Sequence, residues 1–378
     1  MTIPPPAQIG APFSEIDTPA LVIDLDALER NLDAMAAAGR RLGVRLRPHA
    51  KTHKSPVIAA KQIARGAAGI CCQKLAEAEI FVASGIGDVL ITNEIVGPQK
   101  LERLAHLGRQ ARIGVCADNA GAVETLAAAA ERAGSHIEVL VEIDVGQRRC
   151  GVPPGPAAVE LAAKIASFPS LSFAGLQAYS GSAQHMRTLE ERRAAISSAR
   201  ELTAETVRLL GRAGFECRTV GGGGTGTYEL EGASGVWNEL QPGSYVFMDA
   251  DYAKNSWDRE GGAPVFEHAL FVLAAVMSLS TGWGVADAGH KALSNDSGFP
   301  TVFGKTGVSY EQPSDEHGVL NLGSSPWRPT LGEKLLLIPG HCDPTVNLYD
   351  WFVGVRHFGT PRACVEALWP VAARGAIA

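Results

Sequence analysis

At 378 residues, with 46% hydrophobic and 20% charged side chains and 42 glycines, the chain has the composition of a globular, enzyme-sized protein. It is long enough for one large α/β unit and a smaller second one. A net charge of −6, without a basic block or a basic patch interleaved with aromatics, argues against a nucleic-acid partner.

The opening MTIPPPAQIGAPF lacks the layout of a signal peptide, and no apolar run reaches membrane-spanning length. The seven cysteines show no CxxC spacing, so free thiols in a reducing cytoplasm are expected. DTPALVIDLD then reads as a strand ahead of the first helix, DALERNLDAMAAAGRRLG, and is expected to pair with the C-terminal part of the chain. Apolar or β-branched runs follow at 44–49, 68–73, 88–93, 112–117, 137–145, 173–180, 217–222 and 243–249. The segments between them, such as TLEERRAAISSARELTAETVRLLGRAG, carry apolar residues at three- and four-residue spacing. Eight strand–helix units in about 220 residues match an α/β (β/α)8 barrel of TIM type. After about residue 255 the alternation gives way to short runs punctuated by Gly, Ser and Pro, which predicts a mostly antiparallel β domain. The expected division is a barrel over 27–255 and a β domain over 256–378, joined by the N-terminal strand segment 1–26.

Barrel enzymes build their sites from loops at the C-terminal ends of the strands. After the first strand, in RPHAKTHK, stands Lys51, flanked by His49 and His53. Burial and nearby cations can lower an amine pKa there and make it a Schiff-base nucleophile; a surface lysine opening a helix is the plainer alternative. After the fifth strand come Asp144, Arg148 and Arg149, equally readable as a surface ion-pair group. After the sixth come Tyr179, Ser180 and His185. The seventh ends in GGGGTGT, whose glycines let backbone N–H groups approach an anion, and the eighth brings Gly243 and Ser244. A phosphate anchored there, opposite a Schiff-base lysine, is what pyridoxal 5′-phosphate requires.

These segments, with TPALVIDLDALERN, DVGQRRCGV, QAYSGSAQH and PGHCDPTVNLYDW, resemble the D-threonine aldolase family, within the alanine-racemase-like (fold type III) enzymes. The resemblance runs from about Asp17 to about Arg356. It implies that Lys51 holds the cofactor, that Arg149 faces the pyridine nitrogen, and that Tyr179 contacts the cofactor. It places the phosphate on Gly224, Thr225, Gly243 and Ser244. It gives His341 and Asp343 a divalent metal, Mn²⁺ or Mg²⁺, and makes His185 a base candidate beside it. The adjacency of Arg148 and Arg149 leaves the pyridine partner open by one residue. The implied reaction is retro-aldol cleavage of a D-β-hydroxy-α-amino acid to glycine and an aldehyde, in a homodimer. A dehydratase acting on D-serine or D-3-hydroxyaspartate, and a non-catalytic pyridoxal-phosphate carrier, are the alternatives.

In HCD, residues 341–343, an extended backbone would put His341 and Asp343 on one face and turn Cys342 away. A mixed imidazole–carboxylate pair suits a hard divalent ion that keeps an open position. Relatives of the dehydratase type resemble this chain but carry Cys where it has Asp343. A hydrogen-bonded turn before Pro344 is the structural alternative.

Overall fold

Strand β1 (Ala20–Asp24) leads directly into helix α1 (Leu25–Leu42). Asp24 caps that helix by accepting from the backbone N–H groups of Asp26 and Ala27, both at 3.0 Å. Gly43 ends it in the left-handed conformation at φ 68°. The computed structural model describes residues 3–257 and 266–378.

Eight parallel strands follow: β2 (Arg45–Leu46), β3 (Ile70–Cys72), β4 (Asp88–Glu94), β5 (Arg112–Ala117), β6 (Ile137–Glu142), β7 (Leu171–Gln177), β8 (Thr219–Gly222) and β9 (Glu239–Leu240). From β3 to β9 each pairs with the next, and β9 pairs with β2. The remaining seam, between β2 and β3, is closed beyond β2 by Cys71 N–H to the Pro48 carbonyl (2.9 Å) and Ala50 N–H to the Cys71 carbonyl (2.7 Å). The (β/α)8 barrel expected from the alternation is therefore the fold. The eighth strand differs in place. It is Glu239–Leu240, whereas Ser244–Val246 within the expected 243–249 run is a 3₁₀ turn. Pro242 has no N–H for a ladder, so the strand stops and Gly243–Ser244 fall in the loop at its C-terminal end.

Period-two alternation sorts the side chains of these strands. Val89, Ile91, Ile113, Val115, Val139 and Val141 face the helices and join their apolar sides in the largest core. The opposite parity points inward and forms three layers. At the N-terminal end Arg47, Asp88, Glu138 and Glu239 meet as ions. In the middle Cys71, Leu90, Cys116, Leu140 and Ala174 pack as a small apolar plug. At the C-terminal end the layer is polar, with His49, Thr92, Glu142, Gln177 and Gln241 all buried.

The second sheet is built from β1 with β10 (Leu270–Ser280), β11 (Trp283–Ala286), β12 (Thr301–Val302), β13 (Ser309–Glu311), β14 (Gly318–Asn321), β15 (Lys334–Ile338), β16 (Trp351–Arg356) and β17 (Cys364–Pro370). Its pairs are antiparallel except β1 with β16. β1 lies between β10 and β16, so the N-terminal strand is an inner strand of this sheet. The buried Asn31 of α1 ties the sheet to the barrel: its amide donates to the carbonyls of Val246 (3.2 Å) and Glu267 (2.8 Å). β15 then delivers residues 339–343 to the barrel mouth, where Ala250 N–H reaches the Pro339 carbonyl at 2.9 Å.

Candidate active site

The polar layer opens into a cavity at the C-terminal mouth of the barrel, where barrel enzymes build their sites. Lys51, Arg149, Tyr179, His185, Gly224, Thr225, Gly243 and Ser244 all line it. The loops after β8 and β9 are fastened together by Tyr245 N–H donating to Thr225 Oγ1 at 3.0 Å. A Cβ on Gly243 would stand 2.6 Å from Thr52 Oγ1 and 3.2 Å from the His49 carbonyl oxygen, so only glycine fits there. Such bare backbone at the last two strand ends of a barrel is the usual cradle for a phosphate.

Lys51 follows β2, and its Nζ is ion-paired to Asp343 Oδ2. Burial pushes the Lys51 amine down, but the Asp343 carboxylate outweighs it and the net direction is up. This corrects the expectation of a lowered amine: the nearest strong field is an anion. The cation expected beside it is missing as well, because the buried His49 is driven well below its ordinary pKa by desolvation and by Lys51 itself, against the opposing pull of Asp343. His49 Nδ1 accepts from the Lys51 backbone N–H at 3.3 Å, and its Nε2 meets Thr92 Oγ1 at 3.0 Å. His53 turns away from the cavity into the core, edge-on to Phe81.

Of the two adjacent arginines, Arg149 lines the cavity, with its guanidinium 5.7 Å over the Tyr179 ring. Arg148 is exposed, at φ 55°. Arg149 also stands 3.7 Å from Glu142. Burial, and then the neighbouring Glu94 charge, raise the Glu142 carboxyl to about 8, against the pull of Arg149.

His185 closes the 3₁₀ turn Ser182–His185 and packs 5.8 Å from the Tyr252 ring. Its Nδ1 meets Asp251 Oδ2 at 2.7 Å.

The HCD segment is not extended. His341 alone has extended backbone, as the N-cap of helix α9 (Cys342–Val346). Helical geometry still sends Cys342 inward: it is fully buried, with Sγ 3.5 Å from the Met248 carbonyl. His341 Nε2 and Asp343 Oδ2 come within 3.9 Å. His341 Nδ1 is held by Asp296 Oδ2 at 2.7 Å, which leaves Nε2 for the Asp343 side. Burial would raise the Asp343 carboxyl, but Lys51 and His341 hold it far below the usual carboxylate range.

Comparison with known proteins fits this geometry. Residues 23–251 match the family model for the alanine racemase N-terminal domain, and residues 269–355 match that for a putative serine dehydratase domain. A D-threonine aldolase from Arthrobacter sp is 49% identical over 376 residues, covering 99% of this chain and 97% of the relative. The chain belongs to the D-threonine aldolase family. A 3-hydroxy-D-aspartate aldolase from Paracoccus denitrificans (strain Pd 1222) is 46% identical over 376 residues, covering 98% of this chain and 95% of the relative. The crystal structure of D-threonine aldolase from Filomicrobium marinum superposes with a TM-score of 0.95 at 53% identity, covering 99% of this chain and all of that one.

For a chain of the D-threonine aldolase family, two tests of fit can be made on the residues present. The cradle at Gly224, Thr225, Gly243 and Ser244 faces the same cavity as Lys51, which suits a phosphate-bearing aldehyde cofactor. Asp343 Oδ1 is buried without a hydrogen-bond partner, beside an imidazole whose other nitrogen is fixed by a carboxylate. That donor set is the usual surrounding of a divalent ion. Sequence reasoning missed Asp251, Glu142, Gln177 and Gln241. Gln177 and Gln241 exchange amide hydrogen bonds at 2.8 and 3.1 Å on the cavity floor. Strand parity was the signal for Glu142 and Gln241, which share a face with Glu138 and Glu239; Gln177 carries no such signal, because the pairing of β7 with β6 shifts register at Ala174. No pattern in the sequence marks Asp251.

Proposed function

We propose that this chain is a carbon–carbon lyase: a pyridoxal-phosphate- and divalent-metal-dependent aldolase that cleaves D-β-hydroxy-α-amino acids of the D-threonine type to glycine and an aldehyde. The observation that carries the reading is the meeting of Lys51 with Asp343 at one mouth. One carboxylate oxygen lies on the lysine, the other has no partner, and His341 Nε2 stands beside them. Lys51 would hold the cofactor, and Gly224, Thr225, Gly243 and Ser244 its phosphate. Arg149 and Tyr179 would contact it, and His341 and Asp343 would hold Mn²⁺ or Mg²⁺. When bound, the cofactor supplies an electron sink for the bond that breaks at Cα, and the metal supplies a Lewis acid for the hydroxyl oxygen.

The chain's own groups do the rest. His185, at the cavity edge, takes the proton of the substrate β-hydroxyl. Arg149 keeps a fixed positive charge in the cavity wall, since a guanidinium does not deprotonate. The neutral His49 holds the Lys51 backbone and places the amine at the strand end. We infer the same division of the chain as above, barrel 27–255 and β domain 256–378 with 1–26, and a cytoplasmic homodimer.

The test is incubation of the holoenzyme with D-threonine. Acetaldehyde and glycine are the expected products; 2-oxobutanoate alone would mean a dehydratase and sink the aldolase reading.

A further inference from the structure

We infer that Asp251, clamped by Arg187, is a positioning residue for His185: it fixes the imidazole with Nδ1 protonated and Nε2 bare toward the cavity. The inference rests on the reading of His185 as the base.

Asp251 is 5% exposed, although it follows the barrel in a connecting segment. Every polar part of it is used. Its Oδ2 meets His185 Nδ1 at 2.7 Å. Its Oδ1 accepts from Arg187 Nη2, and its carbonyl accepts from Arg187 Nη1 at 2.9 Å. Its backbone N–H donates to the Gly340 carbonyl at 3.2 Å, next to His341. Arg187 Nη1 also reaches Asn255 Oδ1 at 2.8 Å, and Asn255 Nδ2 reaches the Gln184 carbonyl at 3.0 Å. Residues 184–187 and 251–255 are thus laced into one unit, with the carboxylate at its centre.

The chemistry follows from the inventory of donors. A carboxylate only accepts, so the nitrogen facing it carries the hydrogen. In a neutral imidazole Nε2 is then the lone-pair atom, and Nδ1 is already spoken for. His185 lines the cavity, with its side chain 52% exposed. When Nε2 takes the hydroxyl proton, the imidazolium charge lies against an anion that Arg187 and His185 keep below its ordinary pKa despite burial. An Asn at 251 could not serve both neighbours. Its single oxygen would satisfy either Arg187 or His185, and its NH₂ would face the other. Facing His185, it would invert the tautomer and put Nε2–H toward the substrate.

The experiment compares holoenzymes carrying His185→Gln, Asp251→Asn and both, with D-threonine as substrate. His185→Gln is expected to lower kcat about a hundredfold or more. Asp251→Asn is expected to lower kcat about tenfold to a hundredfold, with KM changed less than about threefold and the visible cofactor absorbance intact. The double variant should be no slower than His185→Gln, since Asp251 acts through His185. Wild-type kcat in His185→Gln would overturn the base reading itself. A slow His185→Gln beside a wild-type Asp251→Asn, or multiplying losses in the double variant, would overturn the positioning role alone. ¹⁵N NMR of the histidines in the wild-type holoenzyme needs no folded variant: His185 in the Nδ1–H tautomer supports the role, and the Nε2–H tautomer refutes it.

Discussion

The two ends of the barrel interior are both lined with charge, but they treat it differently. At the N-terminal end every ion has an answer: Arg47 pairs with Asp88 (2.5 Å) and Glu239 (2.9 Å), and Arg112 with Asp88 (3.2 Å) and Glu138 (2.9 Å). At the C-terminal end, among the described residues, Thr52 Oγ1, Glu94 Oε1 and Asp343 Oδ1 are buried without hydrogen-bond partners. The apolar plug of Cys71, Leu90, Cys116, Leu140 and Ala174 separates the two. One end uses charge to close the barrel, and the other holds polar groups ready for something the chain does not contain. Unsatisfied polar atoms cost stability, so their concentration at one end marks where ligands would repay that cost.

Substitutions at the two ends should therefore fail in different ways. The largest effect is expected at Lys51. Lys51→Ala should abolish the visible cofactor absorbance and lower kcat by about a thousandfold or more. Surviving absorbance would mean that another lysine holds the cofactor. Arg47→Met is the mirror case. It leaves Glu239, 1% exposed on its side chain, with only the half-exposed Arg45 at 3.3 Å, at a cost of about 2–3 kcal/mol in denaturant unfolding. The activity of the molecules that remain folded should be unchanged. A comparable loss of kcat in Arg47→Met would erase the distinction between the ends. Metal removal comes next. Chelation, or His341→Ala, should lower kcat about tenfold to a thousandfold, with recovery on adding Mn²⁺ only in the unmodified chain. Unchanged activity after chelation would refute the metal site.

This asymmetry was only partly legible in the sequence. The barrel was legible because short apolar runs alternate with helical spacing, and Lys51, Tyr179, His185 and the glycine loop could be placed from strand ends alone. The eighth strand was misplaced because GSYVFMD is as apolar as a strand, yet Pro242 before it and Gly243 at its start favour a turn. The HCD segment was read as extended because nothing local announces a five-residue helix; its N-cap geometry depends on Asp249 Oδ2, which accepts from Cys342 N–H at 3.2 Å across 93 positions. The field at Lys51 was read with the wrong sign for the same reason, since Asp343 arrives from 292 positions away. Local pattern carries the elements, and long-range contacts carry the electrostatics.

The smallest effect sharpens the comparison through pH. Glu231, on the short helix Tyr228–Gly232 behind the glycine loop, is 1% exposed, and burial raises its carboxyl to about 8, against the Thr227 hydroxyl bond. Its Oε2 has no hydrogen-bond partner. Glu142, buried in the polar layer at the C-terminal end of the barrel, is raised to about 8 as well. An acid whose folded pKa lies above its unfolded value binds an extra proton in the folded state between those values. Stability therefore falls as pH rises, from the ordinary carboxyl value of 4.5 to about 8 for these two groups, and the contribution is lost above that. Glu231→Gln keeps the shape and removes one titration. It should leave unfolding free energy nearly unchanged at pH 5 and raise it at pH 9 by an amount on the order of 2 kcal/mol, read from urea midpoints. Arg47→Met should instead weaken the fold at both pH values, because the guanidinium it removes is charged throughout that range. If Glu231→Gln shifted the midpoint equally at pH 5 and pH 9, the buried acid would be ionised like those at the opposite end, and charge would be handled alike at both ends of the barrel.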